Sequence, residues 1–145
     1  MPSIMRCINV ISRCASMYRA EKMQSSDFSA CQHTYILTIC NRPGISQEQL
    51  ARHIPLNKSN VTRTLAVLEA RGYVERRQSE TDKRMILVYP TQKMLDVYPT
   101  VKAIADDWNE YLVKDLSEEE KILFKRTLRK ITQRAAEYVD GKEKI

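Results

Sequence analysis

Gly44–Thr91 reads GISQEQLARHIPLNKSNVTRTLAVLEARGYVERRQSETDKRMILVYPT, and the order of elements within it decides the fold. Ser46-Gln47-Glu48-Gln49 is a capping-box pattern, in which a serine accepts from the third helical amide while a glutamine reaches back to the serine amide. It opens a short helix, 47–53, that ends before Pro55. Asn57 suits the N-cap of a second helix over 58–71, since its side-chain oxygen can accept from an otherwise unpaired amide. In that helix Val61, Leu65 and Leu68 share one buried face, and Ser59, Asn60 and Arg63 fall on the other. Gly72 stops it. Two strand-like runs follow, 73–77 and 85–89, joined by a polar loop from Gln78 to Arg84. They predict a β-hairpin with a long basic tip, ended by Pro90.

Outward from this stretch the chain is helical. Ile4, Cys7, Ile8, Ile11, Cys14, Ala15 and Tyr18 recur at helical spacing and predict a helix over 4–22. A second apolar helix is expected over 28–41, stopped by Arg42-Pro43-Gly44. On the other side Thr91 can cap a helix running to 115, with Met94, Tyr98, Val101, Ala105, Trp108 and Leu112 as its stripe and a kink at Pro99. Ser117-Glu118-Glu119-Glu120 is a second capping box, opening a helix to 139 with Phe124, Leu128, Ile131, Ala135 and Tyr138 on one face. The expected fold is mainly α with a small β-hairpin wing: a winged helix-turn-helix over 28–90, flanked by helical dimerisation regions at 1–27 and 91–145. The flanking stripes are too long for so small a module to cover, and a second copy of the chain is the economical cover.

Composition narrows the function classes. In 145 residues Lys and Arg outnumber Asp and Glu by 24 to 18, which suits an anionic partner without establishing one. The surplus is densest over 57–84, with seven basic against four acidic residues, while 85–145 carries eleven of each. Cys7, Cys14, Cys31 and Cys40 form no CxxC pair, and His33 and His53 lie far from ligand spacing, so neither metal nor cofactor is expected. No segment approaches a membrane span and no signal peptide leads the chain, so a cytoplasmic protein is expected. With three glycines, no phosphate loop, no nucleophile elbow and no paired metal ligands, the sequence offers an enzyme nothing to work with.

The helix-turn-helix suits duplex DNA because a helix fits the major groove. Arginine can bond guanine bidentately and asparagine adenine, so Asn60 and Arg63 carry base-reading chemistry. Ser46, Gln47 and Lys58 stand near helix N-termini, where phosphate is favoured. Arg76, Arg77, Lys83 and Arg84 can hold the flanking backbone or enter the minor groove. A basic hairpin alone is more often solvated surface; beside this helix it becomes a DNA contact. Cys7 and Cys14, one heptad apart with Arg13 beside the latter, fit core packing and, less readily, redox sensing. Met17, Tyr35, Trp108 and Tyr111 either fill the core or line an aromatic-ligand pocket. A winged-helix module for protein–protein assembly is the remaining rival, and it would not need Arg63 or Arg84.

Residues 44–51, 57–65 and 68–76 resemble the first DNA-domain helix, recognition helix and first wing strand of the MarR (multiple antibiotic resistance regulator) family. Asp82-Lys83-Arg84 is similar to the family's wing signature. The resemblance implies a dimer with interlocking terminal helices that represses from a pseudo-palindromic operator and is released by a small, often aromatic, ligand. It implies that Ser59, Asn60 and Arg63 face bases, that Arg84 enters the minor groove, and that Asp82 braces the wing. Residue chemistry and the resemblance together give the expected DNA-contacting set as Ser46, Gln47, Asn57, Lys58, Ser59, Asn60, Thr62, Arg63, Arg76, Arg77, Asp82, Lys83 and Arg84. Where the family usually shows Leu-Thr and, two residues on, Gly, this chain has Pro90-Thr91-Gln92-Lys93-Met94.

Overall fold

The computed structural model describes residues 1–24, 28, 32–54 and 58–143, and of 58, 59, 142 and 143 the backbone alone. The elements run α1 (Ile4–Lys22), α2 (His33–Asn41), β1 (Ile45–Ser46), α3 (Gln47–His53), α4 (Lys58–Ala70), β2 (Val74–Gln78), β3 (Ile86–Pro90), α5 (Gln92–Val113) and α6 (Glu118–Glu143). They form two compact units, Met1–Trp108 and Asn109–Ile145.

The first unit holds the core. Ile36 and Ile39 of α2, Leu50 of α3, Val61, Leu65 and Leu68 of α4, Val88 of β3 and Met94 of α5 are all fully buried. Burying each such side chain contributes about 1.5–3 kcal/mol. The apolar positions of α4 repeat at i, i+4 and i+7, so one stripe faces this core and the opposite side faces solvent. The helix then closes in a Schellman turn: Tyr73 N donates to Leu68 O (2.9 Å) and Gly72 N to Glu69 O (3.0 Å), with Gly72 at φ +78°.

Strands pair antiparallel in the order β1-β3-β2. The hairpin stands one residue later than expected at both strands, and hydrogen bonds give the reason. Tyr73 N is committed to the turn after α4, and Met85 belongs to the tip, donating to Asp82 O and accepting from Ser79 N. The two-residue β1 was not foreseen; it exists through its register with β3, Ile45 opposite Val88 and Ser46 opposite Leu87.

Helix α2 begins at His33, not at 28: Phe28 lies outside the helix, buried, its ring 4.4 Å from that of Tyr73. Helix α5 runs unbroken through Pro99. Thr91 caps it, accepting from Met94 N (3.4 Å) and donating to Gly72 O (2.6 Å), so the start of α5 is tied to the turn after α4. The departure at Pro90-Thr91 therefore leaves the helix entry intact.

On α1 only Ala15 is buried, and Tyr18 stacks on Trp108 of α5 with centroids 4.9 Å apart. Ile4, Met5, Ile8 and Ile11 are exposed. In the second unit α6 opens with the expected box, Ser117 N donating to Glu120 Oε2 and Glu120 N to Ser117 Oγ. It extends four residues past the expected end, and Ile122, Phe124, Leu128, Ile131 and Tyr138 all face solvent in the single chain.

Candidate nucleic-acid interface

Ser46 fixes the start of α3. Its Oγ accepts from Gln49 N (3.1 Å) and its N–H donates to Gln49 Oε1 (3.3 Å), completing the capping box. Ser46 is buried by this arrangement, so its hydroxyl oxygen serves the helix end. Gln47, the first helical residue, donates from Nε2 to Thr62 Oγ1 (3.2 Å) and so ties α3 to α4. Its Oε1 is buried without a hydrogen-bond partner among the described residues.

On α4 the buried side is Val61, Leu65 and Leu68; Thr62 and Arg63 are exposed and Asn60 is half-buried. Arg63 Nη2 donates to Asn60 Oδ1 at 2.7 Å, one helical turn away. The two side chains with base-reading chemistry therefore sit together as a bonded pair on the outer face. Asn57 lies outside the described residues, and so do the side chains of Lys58 and Ser59.

The hairpin divides its four cations into two kinds. Arg76 is bound by Glu69, from the last turn of α4: the carboxylate accepts from Arg76 N (3.2 Å), Nε (3.2 Å) and Nη2 (3.0 Å). This holds the Glu69 carboxyl below the usual carboxylate range, first through the side-chain hydrogen bond to Arg76. A depressed carboxyl keeps its contribution above the ordinary carboxylate range and loses it only as pH falls below that range. Arg77 pairs with Glu75 (Nη2–Oε2 3.0 Å) and lies over the Tyr89 ring, 4.6 Å from its centroid. Lys83 and Arg84, at the tip, are exposed, and neither side chain has an ionic or hydrogen-bond partner among the described residues.

The tip itself is braced. Asp82 Oδ1 accepts from Arg84 N (3.0 Å), Ser79 Oγ accepts from Thr81 N (3.3 Å), and Gln78 Nε2 donates to Lys83 O (2.7 Å). Asp82 thus bonds the Arg84 backbone and leaves the guanidinium to solvent. Arg84, Met85 and Ile86 of the hairpin share a recess of about 300 Å³ with Gln47 and Thr62, so the basic tip returns to the helix-turn-helix. Residues of α3, α4 and the tip thus line one recess.

The residues weighed for redox or ligand roles lie elsewhere. Cys7 is exposed on α1, and Cys14 and Cys40 are half-buried; burial pushes the Cys40 thiol up to about 11. Cys31 lies outside the described residues. Tyr35 is packed in the core and Trp108 against Tyr18, while Met17 and Tyr111 are exposed. Glu69 was missed by sequence reasoning. Its only signal was an acidic residue at the negative end of a helix dipole, where a carboxylate is disfavoured without a cation. No described helix is long and apolar enough to cross a membrane.

The geometry agrees with what the chain is similar to. A family model described as the MarR family matches residues 26–85. The transcriptional regulator HosA of Escherichia coli is 31% identical over 105 residues, covering 72% of this chain and 78% of HosA. The HTH-type transcriptional regulator YybA of Bacillus subtilis is 29% identical over 142 residues, 96% of this chain and 95% of its own. Among solved structures, a regulator from Listeria monocytogenes assigned to the same family, in complex with a 26-mer DNA, superposes with TM-score 0.88 and 26% identity over 94% of this chain and 91% of that one.

Proposed function

Because the chain belongs to the MarR family of DNA-binding transcriptional regulators, which are not enzymes, we propose that it is a homodimeric repressor that reads a pseudo-palindromic operator through α4 and its wing. One observation carries the reading: Asn60 and Arg63 are bonded to each other on the outer face of α4, whose Thr62 lines one recess with Arg84 of the tip. That face offers donors and an acceptor complementary to those a major groove presents. We assign base reading to Asn60 and Arg63 with Ser59, and backbone or minor-groove contacts to Thr62, Lys83, Arg84, Asn57 and Lys58. Asp82 holds the tip in shape. The exposed apolar stripes of α1 and α6 support a dimer, because each leaves large side chains in water. Two α4 helices would then stand about 34–36 Å apart, one turn of DNA.

Selection of sites from random duplex DNA tests the reading. The wild type is expected to enrich an inverted repeat. Arg63→Ala should relax one position of each half-site by about 1–3 kcal/mol, and Arg84→Ala should weaken binding at the flanks. A protein that enriches nothing and binds weakly at physiological salt would be an assembly module instead. Release by a small aromatic ligand rests on family membership. A panel of phenols and benzoates that shifts neither melting temperature nor DNA affinity would remove that part.

A further inference from the structure

The Glu69–Arg76 contact joins the two halves of the reading surface, and it draws one hairpin cation inward. Along β2 the side chains of Val74 and Arg76 share a face, by the two-residue period of a strand. Val74 is buried and Arg76 half-buried, while Glu75 and Arg77 on the other face are exposed. Arg76 thus lies against α4, where one carboxylate takes its backbone N–H and two guanidinium N–H groups. Three hydrogen bonds to one anion fix both position and rotation of the strand. Glu69 meanwhile sits at the carbonyl end of α4, where its charge is unfavourable to the helix alone. Its placement makes sense through Arg76.

We propose that Glu69 and Arg76 are a positioning pair that sets the angle of the wing on the recognition helix, so that Arg76 acts through Glu69 and not through a phosphate. This rests on the wing contact assigned to Arg84. Simple electrostatics and positioning differ in sign. If charge alone mattered, removing the Glu69 carboxylate would tighten binding to polyanionic DNA. If Glu69 positions the wing, removing it weakens binding.

The test uses the full-length protein and its selected operator, with affinity followed by fluorescence anisotropy over a salt series and melting temperature measured alongside. Glu69→Ala and Arg76→Ala should each weaken binding by roughly threefold to thirtyfold, and the double variant should be no worse than either. The slope of log affinity against log salt should stay at its wild-type value for Arg76→Ala, since each lost phosphate contact would lower it by about 0.9. In an Arg84→Ala background Glu69→Ala should cost less than it does in the wild type, because one of the tip contacts it positions is gone. Glu69→Gln keeps an acceptor for Arg76 N and should fall between wild type and Glu69→Ala; it serves if the alanine variant does not fold. The proposal is overturned by tighter binding of Glu69→Ala, by a slope reduced by about 0.9 in Arg76→Ala, or by an equal loss with and without Arg84. An Arg84→Ala variant that binds like wild type overturns the wing contact itself. A costly Arg84→Ala beside a neutral Glu69→Ala overturns the positioning pair alone.

Discussion

Cys40 and Arg77 show how far one residue's surroundings decide its chemistry. The Cys40 thiol, on the half-buried side of α2, is pushed up to about 11 by burial alone. At pH 8 roughly one molecule in a thousand would carry its thiolate, and only the thiolate attacks electrophiles. Folded protein treated with iodoacetamide at pH 8 is therefore expected to keep Cys40 unmodified, with labelling in urea as the reference. Equal labelling in both states would show that the site opens freely. Arg77 makes the opposite case. Read along the sequence it is one more cation of a basic hairpin, yet Glu75 and the Tyr89 ring already hold it. Charge counting over 76–84 overstates the charge on offer to DNA, because two of the four cations have carboxylates beside them.

At the scale of elements, the turn between α2 and β1 depends on one missing side chain. Gly44 has φ +84°, and a Cβ there would stand 3.1 Å from the Tyr89 hydroxyl and 3.2 Å from its ring. Gly44→Ala should destabilise the fold by about 1–3 kcal/mol, read as a lowered urea midpoint. An unchanged midpoint would mean that the ring moves aside without cost. What could be read in advance follows the range of the forces. Both capping boxes were legible because their partners are three residues apart, Ser46 with Gln49 and Ser117 with Glu120. The stop at Gly72 was legible for the same reason. The hairpin was visible but its edges were not, since Tyr73 and Met85 have strand-like side chains and turn hydrogen bonds. β1 and the start of α2 escaped because their reasons lie far along the chain, in β3 and in the packing of Phe28 on Tyr73. Arg76 was legible as a cation and Glu69 was not singled out, because their contact across the Gly72 turn depends on the folded hairpin. The outward face of α4 was legible from the helix alone, where helical period separates Asn60 and Arg63 from the buried Val61, Leu65 and Leu68.

For the whole molecule the unpartnered stripes make a prediction about mass. A chain of 16.9 kDa should sediment as a dimer at the concentrations where it binds its operator. Leu128→Asp with Ile131→Asp places two charges on the exposed face of α6 and should yield folded monomers with weakened operator binding. A wild type that is monomeric while bound to DNA would refute the shared interface. The bonded pair on α4 has a final consequence, for how an operator is spelled. Bidentate contact with adenine uses the Asn60 Oδ1 that now accepts from Arg63 Nη2. On the proposed reading, a base change met by one of the pair alters the hydrogen bonding open to the other. Substitutions at the two base pairs they reach should be non-additive, so a tally that scores each position by itself would misrank operators there. On the proposed reading, the unit of spelling in each half-site would be a two-letter word.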